Sequence, residues 1–173
     1  MQSRQSYHFQ FESWVPFPVP RVFAFFSDPE NLPRIMPPAE HARLDRLHLV
    51  QPQSPLDTVV SPRAAGTGSV IVTSFRVFPF SPLRAQWIAR ITEFEWNHHF
   101  ADVQQKGPFK RWRHRHEFLP ERRNGFDGTV VGDVIEYEVG YGPLGALANW
   151  LFIEREMRRT FAHRQKVLPK LLS

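Results

Sequence analysis

Residues 143–170 read PLGALANWLFIEREMRRTFAHRQKVLPK, and their spacing decides the architecture. Leu147, Trp150, Met157, Phe161 and Leu168 recur at three- and four-residue steps, with Leu144 and Leu151 beside them. That period puts one apolar stripe on a helix, with the charged residues on the other side. Glu154 precedes Arg158 by four positions, a favourable helical pair. About 27 residues at 1.5 Å each predict a rod of roughly 40 Å. Gly140-Tyr141-Gly142-Pro143 opens it.

Upstream of this helix the period changes to two. Tyr7, Phe9 and Phe11 alternate with His8, Gln10 and Glu12, which predicts a half-buried strand over residues 7–15. Pro16, Pro18 and Pro20 end it. A short helix is expected at Pro20–Phe26 and a second after the Ser27-Asp28 cap, stopped by Pro37-Pro38. Strands follow at Ala42–Val50, Val70–Phe80, Ala85–Trp96, Asn97–Lys106 and Phe109–Pro120. The Pro- and Ser-rich stretch Gln51–Ala65 reads as loop. A turn at Asn124-Gly125 or at Asp127-Gly128 introduces a last strand, Thr129–Val139. One strand, two short helices, a run of strands and one long helix is an α+β layout with an antiparallel sheet.

Composition agrees. The chain has 173 residues, 16 Phe, 5 Trp, 16 Pro and no Cys, with 42% hydrophobic and 23% charged residues. Such a chain can bury a core without staples, and the length suits a single domain over residues 1–173. Without Cys there is no disulfide framework, thiolate metal site or thiol nucleophile. No apolar run is long enough for a membrane span, and the N-terminus has no signal-peptide core. The sequence reads as a soluble, cytoplasmic protein. Gly66-Thr67-Gly68-Ser69 lacks the Lys and the helix of a phosphate loop, and no nucleophile elbow is present.

Several segments carry a resemblance. They are Trp14-Val15-Pro16, Val22–Leu32, Trp87–Ile91, Phe100–Gln104, Gly107-Pro108-Phe109, Trp112–Phe118, Asp133–Tyr137 and Gly142-Pro143-Leu144-Gly145. Over about residues 7–170 the chain resembles the START-like (SRPBCC) superfamily, in its polyketide cyclase/dehydrase-like ligand-binding branch. The resemblance implies a helix-grip fold, a curved seven-stranded antiparallel sheet wrapped on the C-terminal helix. It also implies a deep cavity for a hydrophobic or aromatic ligand such as a lipid or polyketide. It carries over no catalytic set, and fold analogy alone does not fix activity.

The residues themselves point to the same place. Phe100, Asp102 and Gln104 share one strand face, and Trp112, His114, His116 and Phe118 share another, opposite Arg111, Arg113 and Arg115. Three arginines belong in water, so the other face turns inward. Asp133, Ile135 and Tyr137 join it from the last strand, and Trp87 lies in a strand as cavity wall. Trp150 and Arg155 of the helix complete the expected ligand lining. Unpaired buried polar groups cost about 1–3 kcal/mol each. Asp102, Gln104, His114, His116 and Asp133 must therefore pair with one another, with water or with a ligand.

A catalytic version assigns His114 or His116 as the proton acceptor, with Asp102 or Asp133 orienting the ring. Arg76 or Arg155 would then steady an enolate oxygen. A metal version rests on His98-His99 and His114-x-His116, but the sequence marks no third ligand, so no metal or other cofactor is expected. The basic hairpin with Lys106, Lys110, Arg111, Arg113, Arg115, Arg122 and Arg123 reads as a solvated face rather than a nucleic-acid surface. The apolar loop Phe78–Leu83 reads as a hairpin tip or as a lid over a cavity mouth. The sequence names neither the ligand nor the oligomeric state.

Overall fold

The period-two stretch at the N-terminus forms strand β1 (Ser6–Val15) in a computed structural model, which describes residues 6–53, 61–76 and 82–173. Pro16 and Pro18 end it, and Pro20 sits in the first turn of helix α1 (Val19–Ser27), where a missing N–H is harmless. Asp28 caps a 3₁₀ turn at Pro29–Asn31 by accepting from the Glu30 N–H at 3.0 Å. That turn runs into a short α2 (Leu32–Ile35). A second 3₁₀ turn, Pro38–Glu40, follows where the paired prolines predicted only a stop.

The remaining strands are β2 (Arg43–His48), β3 (Val70–Arg76), β4 (Arg84–Glu95), β5 (His99–Lys106), β6 (Arg111–Arg123) and β7 (Phe126–Glu138). They form one seven-stranded sheet in the order β1-β7-β6-β5-β4-β3-β2. Every pairing is antiparallel. The β6–β7 turn is Asn124-Gly125, not Asp127-Gly128. Asn124 has φ +50° and Gly125 φ +82°, the left-handed pair that a two-residue hairpin needs. The last part of the predicted strand Val70–Phe80 and the apolar loop read as a lid fall partly outside the described residues.

The C-terminal rod is α3 (Gly142–Ala148), a π turn at Asn149–Ile153 and α4 (Glu154–Leu172). The π turn changes which residues face inward. Gly145, Asn149, Met157, Phe161, Arg164, Leu168 and Leu172 are buried. Their spacing is four residues at every step that crosses the π turn, counting the half-buried Ile153. A regular helix counted back from Met157 would bury Trp150, but the wider turn hands that place to Asn149. Trp150 is 75% exposed, and Leu144, Leu147 and Leu151 are exposed beside it. This corrects the apolar stripe expected over the first half of the rod.

Two clusters make the interior. Under α1, Phe23 meets Phe94, Phe100 and Phe118 edge-on, with Val15, Ile91, Val131 and Leu168 around them. Burying one such side chain fully contributes about 1.5–3 kcal/mol. Further along, Phe9, Ile135, Tyr137, Met157 and Phe161 pack between β1, β7 and α4. The main contacts of α4 run to β1, α1 and α2. The concave face of β3–β5 is left less covered: Ile71, Phe75, Trp87, Ala89, Asp102 and Gln104 all keep partial access.

Candidate functional site

Register brings the polar residues together. Asp102 on β5 stands directly opposite His114 on β6, and His116 stands opposite Asp133 on β7. Side chains in such cross-strand pairs touch, and residues two apart share a face. The four therefore meet in the middle of the concave surface.

Asp133 is the hub. Its side chain is fully buried. His114 Nε2 donates to its Oδ1 at 2.8 Å. His116 Nδ1 lies 2.9 Å from the same oxygen but lacks the alignment of a hydrogen bond. The other Asp133 oxygen, Oδ2, accepts from Arg164 Nη2 in a short contact. The Arg164 guanidinium lies 4.4 Å from the Phe161 ring centre and 5.4 Å from that of Phe26. The two imidazoles pack closely at a tilt of 42°, 3.9 Å between centres, and Phe100 lies against His116 at 4.5 Å.

Burial sets the charge states. It pushes His114 down to about 3, with the nearby Arg164 cation adding to the effect. His116 is lowered well below the usual imidazole value by burial, by His114 and by Arg164. Both rings are therefore neutral. Burial alone raises Asp102 to about 7. Arg164 is lowered to about 9 by burial and stays charged beside its carboxylate. Asp102 is the exception in this network, having neither a hydrogen bond nor an ion pair among the described residues. One donor atom from each of Asp102, His114 and His116 lies within 4.8 Å of the others.

The aromatic wall continues from the polar cluster toward the β5–β6 hairpin. Trp87 and Trp112 meet edge-to-face with centres 5.0 Å apart, and Phe109 contacts both. Pairing between β5 and β6 ends at Val103 and Arg113 although both strands continue. A cleft of about 330 Å³ opens there, lined by Val103, Lys110, Arg111, Arg113 and Glu136 of the arginine face and its hairpin as well as by Gln104, Trp112 and Tyr137; Trp87, Asp102 and His114 do not line it. A roomier one, about 600 Å³, lies near Trp96 and His98, away from the polar cluster.

Trp87, Asp102, Trp112, His114, His116 and Asp133 thus converge as the alternation predicted. Other expected lining residues serve different ends. Phe100 and Phe118 are packed solid with Phe23. The Gln104 amide donates to the Phe109 carbonyl at 2.7 Å and accepts from the Phe109 N–H at 3.3 Å, so it staples the hairpin. The Tyr137 hydroxyl donates to Asn149 Oδ1 at 2.8 Å. Trp150 is exposed for the reason given above, and Arg155 is exposed on the outer face of α4. Arg76 falls on the opposite face of β3 from Phe75. The inward cation is Arg164, which its charge alone would place on the wet side of the helix. The only signal for it in the sequence is its three-residue step from Phe161.

The arginine face is neutralised locally. Arg113 donates to Glu93 at 2.7 Å, and Arg115 Nε donates to Glu117 at 2.9 Å. His98 sits in the β4–β5 turn and His99 begins β5 near Glu93 and Glu95, so the adjacent pair does not converge.

Residues 15–166 match the family described as polyketide cyclase / dehydrase and lipid transport. The chain belongs to that family. Similar solved structures include the Zhui aromatase/cyclase from Streptomyces sp. R1128, at TM-score 0.66 and 13% identity, covering 97% of this chain and 94% of that one. TTHA0849 from Thermus thermophilus aligns at TM-score 0.64 and 18% identity, covering 96% and 97%. A norcoclaurine synthase point mutant from Thalictrum, bound to a transition-state analogue, aligns at 0.64 and 13% identity over the full length of both chains. At such identities the likeness establishes the START-like, helix-grip fold. No curated protein matches the chain by sequence. Among the described residues, no helix is long and apolar enough to cross a membrane.

Proposed function

We propose that this chain binds a hydrophobic or aromatic small molecule, lipid- or polyketide-like, between the concave face of β3–β6 and the C-terminal helix. The observation that carries the reading is the half-open wall of Trp87 and Trp112 running into Asp102 and His114. An apolar surface with a few convergent polar groups is the usual make-up of a ligand site. The Zhui aromatase/cyclase and norcoclaurine synthase share this fold, and their names agree with an aromatic ligand.

Thermal unfolding with panels of flavonoids, naphthols and fatty acids tests this. A ligand at a hundred times its Kd should stabilise the protein by about 2.7 kcal/mol. Trp112→Ala should weaken that binding at least tenfold while the protein stays folded. Failure of every panel to shift the melting temperature would remove the reading.

A second reading, favoured by the neutral imidazoles beside a carboxyl held near neutrality, is a cyclase or dehydratase. Asp102, His114 or His116 would take a proton from a carbon acid, and Arg164 would hold Asp133 in place behind them. Turnover of a poly-β-ketone thioester mimic should fall at least a hundredfold in the His114→Gln/His116→Gln double variant. Unchanged turnover there eliminates the enzymatic role.

A further inference from the structure

Asp102 poses a chemical problem that nothing else in the described fold resolves. It is a half-buried carboxyl with no donor and no cation against it among the described residues. Across the strand gap stand His114, directly opposite, and His116, on the diagonal, which share one other carboxylate.

We infer that Asp102, His114 and His116 form a binding site for one divalent first-row transition metal ion. The donor set is two imidazole nitrogens and one carboxylate oxygen. Such a set suits zinc, cobalt, nickel or iron rather than calcium or magnesium, which prefer oxygen ligands. Ligand bonds of about 2.0–2.2 Å would bring the three donors to roughly 3–3.5 Å from one another. They now lie within 4.8 Å, so small side-chain rotations close the set.

Three features fit a metal better than a self-contained network. The first is the tautomer. His114 Nε2 is engaged by Asp133, and His116 presents Nδ1 to the same oxygen, so one nitrogen of each ring is left uncommitted. A carboxylate behind the ring is the usual outer support of a metal-bound histidine. The second is that outer support itself, since Arg164 fixes Asp133 from behind. The third is the carboxyl without a partner: Asp102 has no hydrogen bond or ion pair among the described residues, and its oxygen lies with one nitrogen of each imidazole inside a 4.8 Å cluster. Three protein ligands leave coordination positions free, as in catalytic rather than closed sites. An anionic oxygen of a small molecule would complete the shell.

This inference stands apart from the identity of any organic ligand, because the metal alone is the probe. It also competes with the acid–base reading, since a carboxylate bound to a metal is not free to take a proton.

The full-length protein, stripped with a chelator, is titrated with Co²⁺ and followed by visible absorption, and with Zn²⁺ by calorimetry. The expected result is one equivalent per chain, with d–d bands of four- or five-coordinate cobalt. Asp102→Asn and His116→Gln should each weaken Zn²⁺ binding at least a hundredfold, with circular dichroism confirming the fold. Asp133→Asn should weaken it about 10–100-fold through the outer shell. His98→Gln/His99→Gln should leave it unchanged. Absence of binding in the stripped wild type would overturn the inference. So would affinity retained in both Asp102→Asn and His116→Gln, or lost in the His98→Gln/His99→Gln control. If Asp102→Asn does not fold, the perturbed imidazole resonances of His114 and His116 on Zn²⁺ addition decide the matter, and unshifted resonances refute it.

Discussion

Arg164 directs its charge at Asp133, a residue 31 positions earlier in the chain. Breaking a buried pair leaves the surviving charge without compensation. Arg164→Met should therefore cost about 3–5 kcal/mol in urea unfolding. Adding Asp133→Asn should recover part of that loss, giving a double variant more stable than the sum of the single changes. The imidazoles supply a second expectation. The unfolded chain protonates both near pH 6.5, whereas the metal-free native state holds them neutral down to much lower pH. Stability should fall as pH drops from about 6.5 toward 3, because the unfolded state then binds more protons. Asp102, raised to about 7, acts in the opposite sense between about 4 and 7 but is one group against two. Midpoints against pH should show a shallower acid limb in His114→Gln, and an identical limb would sink this account. The convergence of Asp102, His114, His116 and Asp133 was legible because strand alternation is strict. Arg164 was not, since an arginine on a helix bears no mark of whether a distant carboxylate awaits it.

The elements show where periodicity suffices and where it stops. The succession of strands along the chain and the terminal rod followed from counting periods of two and of three to four, whereas their order in the sheet did not. The π turn did not, because one extra residue in a turn leaves no trace in composition. It is matched to tertiary demands: Asn149 reaches the Tyr137 hydroxyl, and Gly145 packs where a Cβ would overlap the Gly140 carbonyl oxygen. Asn149→Ala should leave that buried hydroxyl unpaired and cost about 1–3 kcal/mol, whereas Asn149→Ala combined with Tyr137→Phe should cost less than the two changes summed. The β6–β7 turn offers a cleaner case. Nothing lies within 4 Å of a Cβ built on Gly125, so Gly125→Ala tests backbone conformation alone. It should cost about 1–2 kcal/mol by chemical denaturation.

Across the whole molecule, the helix-grip arrangement was readable and the distribution of empty space was not. The end beneath α1 is solid with phenylalanine, while the face of β3–β5 keeps access. Whether facing aromatics interlock or stand apart depends on sheet curvature and on the tilt of a rod, and both are properties of the assembled fold. The cost of filling shows in variants. Phe23→Ala, at the centre of the packed end, should lose about 3–5 kcal/mol. Trp87→Ala, on the open wall, should lose much less and instead weaken ligand binding in the melting assay.

The edge-to-face contact of Trp87 with Trp112 carries an optical consequence. Two indoles this near exchange excitation, so the chain should display a paired positive and negative band in its circular dichroism that neither ring produces alone. Trp87→Phe should abolish the couplet. A guest that wedges the rings apart should erase it in the unaltered protein, giving a built-in gauge of occupancy that needs no label.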